Sequence, residues 1–297
     1  MRIEKLRAVV LDLDGVVYLE HRVLPGVRAA IARMRASGIG VYFVTNNANE
    51  TRAGFARRLG LMGIPCRPGE IMNAGFATAY TLRRRIPRGS KVFVFGPHGV
   101  ARELAAWGFR PVTVRTRRDW ERFRRRPPRV RAVVVMFDPA LTYWTLCGAN
   151  RALAGGALLV ACNLDSTYPG TDGTLPGTGS LVSLLMTSSG REPILIGKPS
   201  PLMFRLLLRE HGIAARNALV VGDRIPIDIA GGKAAGTHTA LVLTGIDTRA
   251  DLAKSRIKPD LVLKSLPDLL RLPGFPCPAK PDSRCLRQRP GPANPAF

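Results

Sequence analysis

The run Ala8 to Tyr18, AVVLDLDGVVY, opens with apolar residues and stays almost unbroken in its hydrophobicity. A short run of this kind near a chain's start reads as a strand buried on both faces. Asp12 and Asp14 interrupt it. Neither can lie unpaired in the core, because an isolated buried charge is costly. They therefore belong at the strand's C-terminal end, where Gly15 lets the backbone turn. Spaced two apart in extended chain, both side chains point to one side. There they repel each other unless a cation lies between them or one carries a proton.

The same pattern recurs downstream. Val27 to Ser37 has helical spacing, with Val27, Ile31 and Met34 on one face, and Gly40 to Val44 is a second apolar strand ending in Thr45-Asn46-Asn47. Strand, helix, strand implies a right-handed crossover and a parallel sheet, whose ligand site lies at the carboxyl ends of the strands. Thr45 and Asn46 suit hydrogen bonds to an oxyanion. They equally suit a loop in which Asn49 or Thr51 caps the next helix. Arg52 to Met62 and Glu70 to Ile86 read as helical. Later, Ile194 to Ile196 leads into Gly197-Lys198-Pro199-Ser200-Pro201, and Ala218 to Val221 leads into Gly222-Asp223-Arg224-Ile225-Pro226-Ile227-Asp228. Thr239 to Leu243 and Leu261 to Leu263 complete the strands. Clusters that each follow a strand of one parallel sheet meet on one edge. Their carboxylates suit a divalent cation with oxygen ligands, Mg²⁺ being the natural choice. Lys198 and Thr45 suit a phosphoryl group. An aspartate, ionised at neutral pH, can act as nucleophile.

Between these halves, Lys91 to Phe95, Val130 to Phe137 and Ala157 to Ala161 are short strands with helical stretches among them. They predict a second, inserted α/β unit. The expected division is 1–86 first part of a core, 87–192 insertion, 193–272 second part of the core, and 273–297 a basic tail too rich in proline to fold. Asp172-Gly173 and Pro176 to Gly179 read as a glycine-rich loop before the helix Ser180 to Met186; no GK[ST] follows, so it is no P-loop. The five cysteines show no CxxC pair, and no signal peptide or membrane-length apolar run is present, which predicts a soluble cytoplasmic protein with reduced thiols. Lysine plus arginine is 45 against 21 acids, a net charge of +24. That balance suggests polyanions. The wide spread of the arginines, with few aromatics among them, favours a solvated surface over a nucleic-acid face.

With these clusters in order, the sequence resembles the haloacid dehalogenase superfamily, in the branch of NagD and the p-nitrophenyl, phosphoglycolate and pyridoxal phosphatases. DLDGVVY matches the nucleophile motif, TNN the second, GKPSP the lysine motif and GDRIPIDI the acidic motif; ACNLD and PGTGSLV resemble cap segments. The resemblance runs from about Leu6 to Leu270 and implies a Rossmann-like α/β core with a parallel sheet plus an inserted α/β (C2-type) cap. It implies Mg²⁺-dependent hydrolysis of small phosphomonoesters through an aspartyl phosphate, with Asp12 as nucleophile and Asp14 as general acid and base. Thr45, Asn46 and Asn47 would bind the phosphoryl oxygens, and Lys198 would neutralise their charge. Asp12, the Asp14 carbonyl and Asp223 would hold Mg²⁺, with Asp228 supporting them from behind. The cap loop 163–173 would lie over Asp12, with Asp165 and Tyr168 influencing substrate choice. A homodimer through the cap is expected, with residues around Val130 to Phe137 contributing, although nearby arginines oppose an isologous contact.

Two positions depart from the family: Ala48 where Ser or Thr is common, and Ile227 where Thr is usual. Both adjoin catalytic groups and bear on rate, leaving the reaction class unchanged. A phosphotransferase or phosphomutase would share Asp12 but exclude water. A nucleic-acid-associated protein using the same scaffold would draw on the charge, yet carries no recognisable module for it.

Overall fold

The computed structural model describes residues 5–170 and 173–276, with backbone alone at 168–170. Two parallel sheets organise it. The first contains β1 (Ala8–Leu11), β2 (Gly40–Thr45) and β3 (Ile71–Asn73). The second contains β4 (Lys91–Phe95), β5 (Arg110–Val112), β6 (Val130–Val135), β7 (Leu158–Ala161) and β8 (Pro193–Leu195). The chain then returns to the first sheet with β9 (Ala218–Gly222), β10 (His238–Val242) and β11 (Leu261–Leu263). Strand order is β11-β10-β9-β1-β2-β3 in the first sheet and β8-β7-β6-β4-β5 in the second.

β1 lies in the middle of its sheet, and its residues are all buried, as the apolar run requires. Strand order reverses on either side of it: β2 and β3 extend one way, β9 to β11 the other. Such a switch point opens a crevice at the strands' carboxyl ends, here between β1 and β9. Leu11 pairs with both Val221 and Phe43, so Asp12 emerges level with the ends of its neighbours.

On one face of this sheet Val9, Leu11, Val41, Phe43 and Val221 pack against α1 (Val27–Ala36) and α2 (Arg52–Leu61). α1 buries Val27, Ala30, Ile31 and Met34, the stripe its spacing predicted. On the other face Val10, Val44 and Val220 meet α3 (Ala74–Leu82). The same hydrophobic cluster runs on through α4 (His98–Ala106) to Val92, Val94, Ala132 and Val134 of the second sheet. The two sheets thus share one core layer. The outer face of the second sheet is covered by α5 (Arg117–Arg125), α6 (Tyr143–Ala154) and α7 (Thr178–Ser189) around Phe93, Phe95 and Val133. In α5 only Phe123 is buried, so its arginines are solvated.

Four expectations change. The helix expected over 70–86 is instead the strand β3 followed by α3, because Ile71–Asn73 pairs with Phe43–Thr45 and the Asn73 carboxamide accepts the Phe76 N–H to start the helix. The glycine-rich loop is partly a hairpin, Thr167–Gly170 against Gly173–Pro176. Strand β8, expected in the first sheet, pairs with β7 in the second, so only three of the polar clusters leave the strands of one sheet. Residues Val130–Val135 are the buried centre of the second sheet and offer no apolar surface for self-association. Of the tail, residues 277–297 lie outside the described residues. Among the described residues no helix is long and apolar enough to cross a membrane, and Cys66, Cys147 and Cys162 are free thiols.

Candidate active site

Asp12 leaves β1 with its N–H donating to the Val221 carbonyl at 2.9 Å. Its carboxylate pairs with the Lys198 ammonium at 2.6 Å, and the same ammonium stands 2.7 Å from Asp228. Lys198 is only 3% exposed, and it also donates to the Val44 carbonyl at 3.4 Å. Lysine and two carboxylates form a buried chain of charge in which every cation-to-anion contact is direct.

Lys198 reaches this place from a strand of the other sheet, and Asn46 brings it there. The Asn46 carboxamide accepts the Lys198 N–H at 2.8 Å and donates to the Lys198 carbonyl at 3.1 Å. Expected to bind phosphoryl oxygens, Asn46 is placed instead as the clamp of the lysine loop. Gly197 allows the fit, since a Cβ there would stand 2.1 Å from the Cys162 carbonyl and 2.5 Å from Asn46 Oδ1. Beside it, the Thr45 hydroxyl accepts the Asn47 N–H at 3.1 Å, leaving its own O–H to donate. The Asn47 carboxamide oxygen accepts the Asn49 N–H, so its NH₂ remains available.

The carboxylate oxygens of Asp12, Asp223 and Asp228 lie within 4.8 Å of one another. Their engagements differ. Asp228 spends one oxygen on Lys198 and accepts the Arg224 N–H with the other at 3.1 Å. Asp223 accepts the Ile246 N–H at 2.8 Å through Oδ2, while its Oδ1 is buried with no hydrogen-bond partner. A buried anionic oxygen left bare calls for a cation. The donors are oxygens alone, the preference of Mg²⁺. The residues present therefore fit that ion, with Asp12 and Asp223 as side-chain ligands. Asp14 does not join the carboxylate cluster; its side chain is exposed, which leaves it free for proton transfer.

The electrostatics follow from crowding. Burial and the neighbouring Asp228 push the Asp223 carboxyl up to about 6. Burial raises Asp12 as well, opposed chiefly by Lys198. Burial works against the charge on Lys198, but its two carboxylate partners prevail and hold it protonated. Asp14 is raised by desolvation, with Arg58 opposing, which favours a carboxyl that can carry a proton.

One stretch not singled out in the sequence completes the site. The loop after β10 supplies the Ile246 N–H to Asp223, the Thr244 hydroxyl to the Gly15 carbonyl at 2.6 Å, and Asp247, which accepts the Ile225 N–H at 2.6 Å. Gly15 and Gly245 make room for Asp223: a Cβ would fall 2.5 Å and 1.9 Å from its Oδ2. The signal was the same as elsewhere, a polar Thr244-Gly245 just past an apolar strand. Arg224 was also passed over; it pairs with Asp165 of the cap loop at 3.0 Å. Tyr168 lies in the hairpin opposite Leu175, its side chain outside the described residues. Of the two departures, Ala48 is fully buried in the layer shared by the sheets, where an added hydroxyl would need a partner, and Ile227 is buried in the π-helical turn Ile225–Ile229.

A carboxylate nucleophile held by a lysine, a second carboxyl able to carry a proton, and oxygen ligands for a hard cation together suit transfer of a phosphoryl group. Comparison with known proteins agrees. A family model described as haloacid dehalogenase-like hydrolase matches residues 9–110, and a second HAD-hydrolase-like model matches 195–269. Human glycerol-3-phosphate phosphatase is 36% identical over 285 residues, covering 87% of this chain and 88% of its own. Among solved structures, p-nitrophenyl phosphatase from Archaeoglobus fulgidus superposes with a TM-score of 0.80 at 32% identity, covering 90% of this chain and 98% of its own. Glycerol phosphate phosphatase from Mycobacterium tuberculosis, in complex with magnesium, gives 0.79 at 31% identity over 91% of this chain and 78% of its own.

Proposed function

Because the chain belongs to the haloacid dehalogenase-like hydrolases, we propose that it hydrolyses small phosphomonoesters with Mg²⁺, in two steps carried by Asp12 and Asp14. Asp12 attacks the phosphorus, the P–O ester bond breaks, and Asp14 gives its proton to the departing alkoxide. Asp14, now a base, takes a proton from water. The resulting hydroxide attacks the aspartyl phosphate, freeing inorganic phosphate and Asp12. Lys198 offsets the charge of Asp12 and of the phosphoryl oxygens throughout, and Thr45 with the Asn47 NH₂ group orients those oxygens. Asp12, Asp223 and the Asp14 carbonyl would hold Mg²⁺, which when bound would supply further positive charge to the phosphoryl group.

The observation that carries this reading is the bare, buried Asp223 oxygen beside the Asp12–Lys198–Asp228 chain. In this reading 1–86 and 193–272 act as the catalytic core and 87–192 as a cap. The protein works in the cytoplasm on phosphorylated metabolites, and two copies associate through the cap, which light scattering would show as a doubled mass. The test of function is inorganic phosphate release from a panel of phosphomonoesters with Mg²⁺, for the wild type and Asp12→Asn. Turnover by the wild type is expected, with a loss above about a hundredfold in the variant, since its amide cannot form the acyl phosphate. Wild-type-like turnover by Asp12→Asn overturns the covalent route.

A further inference from the structure

Helix α4, which packs on the second sheet, buries Gly99, Val100, Glu103 and Leu104 along one stripe. Glu103 is the exception in that company, a carboxylate only 6% exposed. A charge on such a face is costly unless a specific partner holds it. The partner is a backbone group of α2, on the first sheet: the Glu103 carboxylate accepts the Arg52 N–H at 2.7 Å. Arg52 is the first residue of α2, and a helix cannot satisfy its own first N–H groups. Two side chains share that duty. The Thr51 hydroxyl accepts the Gly54 N–H at 3.2 Å, and Glu103, reaching across from α4, takes the Arg52 N–H. The Arg52 guanidinium is spent elsewhere, on the Pro68 and Gly69 carbonyls and on Glu210.

Between β2 and this bond runs the loop 46–51, held along its length. The Thr45 hydroxyl accepts the Asn47 N–H, and the Asn47 carboxamide accepts the Asn49 N–H. Ala48 is fully buried with α4 pressed on it, since a Cβ on Gly99 would stand 2.2 Å from the Ala48 carbonyl. The Glu50 carbonyl accepts from the Asn73 NH₂ group at 2.8 Å. Gly99 and Glu103 are four apart and share one face of α4, which therefore meets the loop at two points. A short loop fixed at both ends has little freedom, so where the Arg52 N–H is pinned bears on where Asn49, and with it the Asn47 carboxamide, can sit.

We propose that Glu103 is a positioning residue: through the Arg52 N–H it holds the loop that presents Thr45 and Asn47 to the phosphoryl oxygens, and it ties that loop to the second sheet. This rests on the phosphatase reading above.

The experiment measures kcat and KM for p-nitrophenyl phosphate and competitive inhibition by inorganic phosphate. Glu103→Met suits the stripe that α4 buries but offers the Arg52 N–H no acceptor. KM and the inhibition constant are each expected to rise about tenfold with kcat within about threefold, the signature of lost binding common to ground and transition states. Glu103→Gln keeps the shape and an acceptor oxygen, and both constants should stay within about threefold of wild type. Amide exchange in peptides covering 47–55 should quicken in Glu103→Met and not in Glu103→Gln, a readout independent of turnover. A merely structural role lowers the folded fraction, and hence kcat, while leaving KM and phosphate inhibition unchanged; that pattern overturns the proposal. So does a Glu103→Gln enzyme as impaired in binding as Glu103→Met, since the acceptor would then not be what matters. If Glu103→Met does not fold, Glu103→Asp, whose carboxylate is withdrawn by one methylene, is read against Glu103→Gln in its place, and unchanged constants in it sink the assignment. A wild type that releases no phosphate from the aryl ester overturns the phosphatase reading and this assignment with it, a result distinct from unchanged binding in an active enzyme.

Discussion

Replacing Lys198 by methionine tests the buried charge chain directly. The side chain volume is nearly kept, while the only ammonium between Asp12 and Asp228 is removed. Those carboxylates are 12% and 1% exposed, so water cannot take its place. Deleting one partner of a buried ion pair costs about 3–5 kcal/mol, since it leaves a charge uncompensated. In a chain of this size that lowers Tm by roughly 6 °C or more at pH 7.5 with EDTA present. The loss should shrink at lower pH. Burial already raises the Asp12 carboxyl, and without the lysine it takes up a proton more readily, so the folded variant gains protons that the unfolded chain does not hold. Melting curves of wild type and Lys198→Met at pH 7.5 and pH 5 read both effects, and phosphate release should fall at least about a hundredfold. A Tm difference under about 3 °C at pH 7.5, or one that widens on acidification, refutes the reasoning.

Mg²⁺ should raise Tm more at pH 7.5 than at pH 5. Asp223 titrates near 6 when folded and near 3.8 when not, so the metal-free protein gains stability as pH falls through 6, while protons then compete with the ion. Differential scanning with and without Mg²⁺ checks it; an equal shift at both pH values counts against Asp223 as a ligand. Chelation should abolish turnover and added Mg²⁺ should restore it, and full activity after exhaustive EDTA treatment would remove the metal from the reaction. Gly245→Ala would drive a methyl to 1.9 Å from Asp223 Oδ2 and should weaken Mg²⁺ binding at least tenfold by titration calorimetry. Gly60→Ala in α2, which meets nothing within 4 Å, should instead stabilise the fold by about 0.5–1 kcal/mol. Equal behaviour of the two glycine variants would show that the cradle around Asp223 is not tight.

Asp12, Asp14, Thr45 and Asp223 could be placed at the sheet's carboxyl edge from the sequence alone, because each follows directly on a buried apolar run where only polar partners can satisfy it, and Asp228 lies in the same polar segment after β9. Parallel connectivity then sends every such exit to one edge. The helix α1 and the buried face of β1 were legible for a similar reason: periodicity reports which side of an element is covered. It does not report what covers it. Pro193–Leu195 is apolar and three residues long, and nothing local tells which sheet it joins; only pairing with Leu159–Ala161 settled that. Lys198 and Asn46 are 152 positions apart, so the carboxamide that looked free for an oxyanion was claimed by a backbone far along the chain. The same holds for the Ile246 N–H on Asp223 and for the reach of Asp165 to Arg224. The layer joining the two sheets was invisible for the same reason, since Val10 and Val134 become neighbours only through α3 and α4. Local pattern fixes where chain emerges and which face is apolar, whereas the partner of a hydrogen bond or a buried face is chosen by long-range closure, which leaves no periodic trace in the sequence.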